Sequence, residues 1–111
     1  HILHFSVPPG KFSSIHIDAA GKEDIYDSFA INLPLHNSDK VKMSWFKPLV
    51  EEELIINTTV YPPVPVLNQH EAEYIESVYY TQPTSVQILK WHNVINESDD
   101  YAYFCSLRFF K

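Results

Sequence analysis

His16, Ile17 and Asp18 form a His-x-Asp triplet at the end of a segment that reads as a strand. Side chains at i and i+2 of a strand project to the same face, so His16 and Asp18 can reach one metal ion together. A third ligand must come from elsewhere in the chain. His92 is the best candidate, because it follows an apolar strand, Val86 to Leu89, late in the sequence. Two histidines and one carboxylate on one side of a metal leave three coordination positions open for reactants.

Other reactive groups are poorly placed for chemistry. Cys105 is the only cysteine, lies on a predicted buried strand and has no His-Asp context of its own. It is therefore read as a packing residue, and a single cysteine forms no internal disulfide, which points to a reducing, cytoplasmic setting. No serine sits in a Gly-x-Ser-x-Gly elbow, and two glycines are too few for a phosphate-cradling loop. His1, His4, His36 and His70 show no paired spacing and read as surface residues. Trp45 and Trp91 read as packing residues, with Trp91 also able to wall a site at His92. Tyr79 and Tyr80 read as ordinary strand residues. Asn57-Thr58-Thr59 and Asn96-Glu97-Ser98 match the glycosylation pattern, a triplet common by chance.

The elements that must hold these residues are strands. Hydrophobic residues make up 45% of the 111 residues and aromatics 14%, enough for a folded core. Val, Ile, Tyr and Phe are abundant, and these types favour strands. Strands are predicted over 1–7, 11–18, 28–35, 41–46, 54–61, 74–81, 85–95 and 101–110. Pro8-Pro9-Gly10, the loop 19–27, the turn 36–40, the charge run Glu51-Glu52-Glu53, Pro62 to Pro65 and the turn 96–100 separate them. The nearly unbroken apolar run Ser28–Leu35 predicts a strand buried on both faces. About eight short strands with turn signals every 8–12 residues predict an all-β domain of two facing sheets, a jelly roll of the cupin-like kind. The whole chain, 1–111, reads as one such domain, and the opening on His1 leaves room for a segment before it.

Four stretches together resemble the Fe(II)- and 2-oxoglutarate-dependent oxygenases, in particular the aspartyl- and prolyl-hydroxylase-like members. Val7-Pro8-Pro9-Gly10 and the short strand after it lead into His16-Ile17-Asp18. Ala30-Ile31-Asn32-Leu33-Pro34-Leu35 looks like the strand that follows in that superfamily. His92-Asn93-Val94-Ile95-Asn96-Glu97-Ser98-Asp99 is similar to its segment around the distal iron ligand, and Ser106-Leu107-Arg108-Phe109 to its closing strand. The patches run in the family's order over nearly the whole chain. The resemblance implies a double-stranded β-helix in which His16, Asp18 and His92 hold Fe(II). It also implies 2-oxoglutarate and O₂ as co-substrates, and hydroxylation of a C–H bond on a small molecule or peptide.

The chain departs from the family at one place. The far carboxylate of 2-oxoglutarate is usually held by an arginine nine or ten residues after the distal histidine, and those positions here are Tyr101 and Ala102. Tyr101 and Asn32 are the expected neutral substitutes. Arg108, the single arginine, lies six residues past Ala102, roughly 20 Å along a strand, and reads as a surface cation far from the metal. Lys42 is the nearest other cation. The alternative function is a non-catalytic jelly-roll binding or structural domain; a cupin-type enzyme with another metal is a third. The net charge of −6 with no basic cluster argues against nucleic acid, and no apolar run is long enough to span a bilayer.

Overall fold

The computed structural model describes residues 2–17, 27–51, 54–57, 64–88 and 90–110. Among them are ten strands and no α-helix. The strands are β1 (Ile2–Val7), β2 (Ile15–His16), β3 (Asp27–His36), β4 (Val41–Pro48), β5 (Ile56–Asn57), β6 (Pro65–Leu67), β7 (Ala72–Tyr79), β8 (Thr84–Gln87), β9 (His92–Asn96) and β10 (Ala102–Phe110). They form two antiparallel sheets, ordered β1-β10-β3-β8 and β5-β6-β2-β9-β4-β7.

The all-β expectation holds, and the boundaries differ in instructive ways. The segment 85–95, expected as one strand, holds two. β8 belongs to the first sheet and β9 to the second, so the chain changes sheets between these two strands. The predicted strand 11–18 shrinks to Ile15–His16, preceded by an isolated bridge from Phe12 to Ile95. Pro65, expected to leave the ladder, opens β6 opposite Asn57; the first residue of a strand is a place where proline is tolerated. Pro34 sits inside β3 opposite Phe104, beside a register shift between Tyr103 and Phe104. A proline cannot donate to the ladder, so interruption of the pairing there is expected.

The main core lies between the sheets. Ala30, Val86, Ala102 and Phe104 from the first sheet meet Val41 and Met43 from the second, with Tyr80 and Ile88 beside them. Truncating a buried aromatic such as Phe104 to alanine costs about 3–5 kcal/mol by general experience. A second cluster, Ile15, Phe46 and Leu67 with Trp91 packed against it, lies apart from the first. Strand alternation explains the split at β2: Ile15 enters the second cluster, and His16 turns to the opposite face.

The outer face of the first sheet is open. Phe29, Leu35, Tyr103 and Phe109 all have large exposed areas, and Leu35 is 60% exposed. The expectation that Ser28–Leu35 is buried on both faces therefore fails. Ala30 and Asn32 are buried while their neighbours are not, which is the alternation of a strand covered on one side only.

The candidate metal centre and its surroundings

The pairing register builds the site. His16 of β2 is directly opposite His92 of β9, and His92 is opposite Trp45 of β4. Directly opposed residues of antiparallel strands share a face. Trp45 packs against the main core, so this row of side chains faces between the sheets. The row extends through Val66 to Ile56 on one side and to Glu76 on the other.

His16 and His92 lie with ring centroids 4.6 Å apart and planes tilted by 51°. His92 is only 3% exposed, and His16 is half-buried. Each ring is fixed in the same way. The Nδ1–H of His16 donates to the carbonyl of Ser14 at 2.7 Å, and the Nδ1–H of His92 to the carbonyl of Lys90 at 2.6 Å. A carbonyl only accepts, so each ring carries a proton on Nδ1; in an imidazole so held, a lone pair can only be on Nε2. Metal-binding histidines are held in this manner, with a backbone carbonyl orienting the ring from behind.

Asp18, the expected carboxylate ligand, lies outside the described residues. Among the described residues no three His, Cys, Asp or Glu side chains gather around a point. The described part of the proposed triad is thus the histidine pair.

Trp45 closes one side of the pair. Its Nε1–H donates to the carbonyl of Gln87 at 3.0 Å, which ties the second sheet to the end of β8. Trp91 packs in the second cluster, away from the histidines, so the side chain that walls His92 is Trp45 rather than its sequence neighbour. Sequence reading missed Trp45 because the contact comes from register across β4 and β9, not from proximity in the chain.

Asn32 and Tyr101 are not brought together. Asn32 is 4% exposed on β3, opposite Ser106, whereas Tyr101 is 47% exposed and precedes β10. Five residues separate Tyr101 from Ser106, roughly 16 Å of strand. Ala102 is fully buried in the main core, so neither family position of the arginine offers a polar group to the interior. Lys42 pairs with Glu97 at 3.6 Å, and it is offset by one residue from the inward-facing Val41 and Met43.

Arg108 is not the distant surface cation that counting along one strand suggests. It is half-buried, its Nε–H donates to the fully buried Ser106 Oγ at 2.9 Å, and its Cζ lies 5.8 Å from the centre of the Phe5 ring. Asn96 Nδ2–H donates to the carbonyl of Val7 at 2.9 Å, and Val7 is opposite Ala102. The start of β10 therefore lies at the Asn96 end of β9, and its far end, with Arg108, returns to the His92 end.

The Asn-x-Ser part of the segment after His92 has a structural role. Asn96 is fully buried. Its Nδ2 donates to the carbonyls of Val7 and Asp100, and its Oδ1 accepts from the backbone N–H and the hydroxyl of Ser98. Asn37, in the left-handed region at φ 55°, adds a bond to Ser98 Oγ. This knot joins three connections, and its burial removes Asn96 as a glycan acceptor in the folded protein.

No protein-family model and no curated protein matches the chain. The functional reading therefore rests on the residues and their geometry.

Proposed function

We propose that this chain is an Fe(II)- and 2-oxoglutarate-dependent dioxygenase built on a double-stranded β-helix, acting on a small-molecule or peptide substrate. The observation that carries the reading is the opposed pair His16 and His92, each with Nδ1 bound to a backbone carbonyl, an arrangement in which Nε2 would be the ligating nitrogen. The strand order supports the fold. With β5 and β6 taken as an inserted hairpin, eight strands remain as two sheets of four, β1-β10-β3-β8 and β2-β9-β4-β7, the winding of a jelly roll.

His16 and His92 would hold the metal through Nε2, and Asp18, two residues from His16, would supply the carboxylate. Iron bound there would supply activation of O₂ at the expense of a 2-oxo acid. The chain's own residues fix the ligands and dry the site. Ser14 and Lys90 carbonyls lock the two rings, and the indole of Trp45, tethered to Gln87, shields one flank. Val94, Val41 and Met43 extend an apolar floor away from the pair. The buried free thiol of Cys105 suits a reducing compartment.

The second reading is a binding domain without chemistry, favoured by the apolar surroundings of Ala102 where the family keeps its arginine. Anaerobic Fe(II) titration with and without 2-oxoglutarate separates the two. The oxygenase reading expects a visible charge-transfer band that needs both additions and is lost in His92→Ala. Fe(II) binding with no band at saturating 2-oxoglutarate favours the binding domain.

A further inference from the structure

We infer that the outer face of the sheet β1-β10-β3-β8 is a self-association surface, on which a second copy of this chain packs about a two-fold axis. The surface is independent of the metal reading, because the histidine pair faces between the sheets and this face turns away from them.

Strand parity selects the face. Ala30 of β3 and Ala102 and Phe104 of β10 belong to the main core and turn inward, so the residues that alternate with them turn outward. Register joins the outward residues into rungs. Ile2, Leu107 and Ile31 lie side by side across β1, β10 and β3. Phe109 and Phe29 form the next rung, with their rings stacked and centroids 4.9 Å apart. Ile2 is 58% exposed and Leu35, farther along β3, is 60% exposed. Single exposed apolar side chains are ordinary, but a contiguous apolar sheet face marks an interaction surface.

The polar groups are at the margins. The outward residues of the edge strands include Ser6 on β1 and Ser85 and Gln87 on β8, where Ser85 is opposite Ile31 and Gln87 opposite Phe29. An apolar centre within a polar rim is the ordinary anatomy of a protein interface.

Charge decides the occupant. The chain has a net charge of −6, so two copies repel wherever their acidic surfaces meet. Among the outward residues of this face whose side chains are described, none is Asp, Glu, Lys or Arg. Two copies can therefore approach here with the least repulsion. A partner drawn by opposite charge would find nothing to hold on this face, whereas a second copy presents an apolar sheet of the same shape. Face-to-face stacking of two sheets, about 10 Å apart, is a standard way to cover such faces, and a two-fold axis closes the pair.

Area sets the strength. The four strands have 6, 9, 10 and 4 residues. At about 3.3 Å per residue and about 4.8 Å between strands, they cover roughly 450 Å² per copy as a flat footprint. Two copies would cover about 900 Å² before side-chain relief is counted, close to the ~1,000 Å² expected of a specific contact. The dimer is thus weak and exchanges with monomer.

Sedimentation velocity of the whole chain, from about 5 to about 500 µM, reads the association. The expected result is an average mass that rises with concentration from the 12.9 kDa of one chain toward twice that value. Leu35→Glu and Phe109→Glu each set like charges into the apolar contact and should weaken association about tenfold or more. Leu54→Glu, at a residue 64% exposed and outside both sheets, should leave it unchanged. Circular dichroism confirms that each variant is folded; Leu35→Glu, at the more exposed position, decides if Phe109→Glu is not. A chain that stays monomeric at the highest concentration overturns the inference. So does a dimer that the folded variants leave intact, or one that Leu54→Glu weakens equally. Co-sedimentation of a monomeric chain with phosphatidylcholine vesicles, lost in Leu35→Glu, would assign the face to a lipid surface and overturn it as well.

Discussion

His16 and His92 face each other from β2 and β9 as a directly opposed pair, and the carbonyl two residues before each one holds its ring. The symmetry has a chemical consequence. In each ring the carbonyl holds a proton on Nδ1, so a metal at Nε2 would require no change of tautomer.

Removing either ring should abolish metal binding, with unequal effects on the fold. His16 is half-buried, and His16→Ala should leave the melting temperature nearly unchanged. His92 is 3% exposed, and His92→Ala should lower stability by about 1–2 kcal/mol as well. Mn(II) titration followed by electron paramagnetic resonance, with urea unfolding in parallel, checks both halves. A His16→Ala variant with wild-type Mn(II) affinity would dispose of the metal centre.

Trp45→Phe removes the bond to Gln87 while keeping most of the apolar area. The loss should be about 1 kcal/mol, the usual worth of a neutral hydrogen bond. Because the ring stands beside His92, the variant should also lose most of any change in tryptophan fluorescence that metal addition causes. Persistence of the full signal would mean that Trp91 is the reporter.

Asn96→Ala strips partners from Val7, Ser98 and Asp100 in a fully buried position. Several polar groups left without partners should cost about 3 kcal/mol in urea unfolding. Asn93→Ala, one strand position from His92, serves as comparison: the Asn93 Oδ1 is already buried without a partner, so its removal should cost less. Equal losses in the two variants would contradict the role given to the knot.

Much of this was legible from residue order, and the failures have a common cause. The facing of His16 followed from the two-residue period of a strand, and the all-β architecture followed from β-branched and aromatic content broken by prolines. The division of 85–95 into β8 and β9 was not legible, because no proline or glycine marks the place where the chain changes sheets. Arg108 was misplaced for a related reason. Distance was counted forward from Ala102, but β10 runs back toward the end where β9 begins. Trp45 was hidden because only register puts it next to His92. Pairing between strands distant in sequence is what a linear reading lacks.

Acid should act on a surface contact far from the histidines. Tyr79 O–H donates to Glu97, and this bond, with the nearby charge of Lys42, holds the Glu97 carboxyl below the ordinary range despite slight desolvation. The same bond raises the Tyr79 phenol. A carboxylate with a depressed folded value stabilises above its unfolded value, near pH 4.3, and loses that contribution as the pH falls through the folded one. The wild-type advantage over Glu97→Gln in melting temperature should therefore be present at about pH 6 and shrink toward about pH 3. It should be small and weaken with salt, because the group is exposed. An advantage that grows on acidification would show that the pair is not formed.

The row Ile56, Val66, His16, His92, Trp45 and Glu76 binds chemistry to bookkeeping of a purely positional kind. Every member owes its facing to the parity of its own strand. Lengthening the chain by one residue between Gly10 and Ile15, with the segment before it held in place, would slide Ile15 onto the rung of Val66 and His92, sending Ile15 inward and His16 off that face. Lengthening it by two would restore the facing. The centre is thus sensitive to whether an insertion is odd or even, and far less to which amino acids are inserted. Natural or designed length variants of the segment before β2 should fall into two populations on that basis alone.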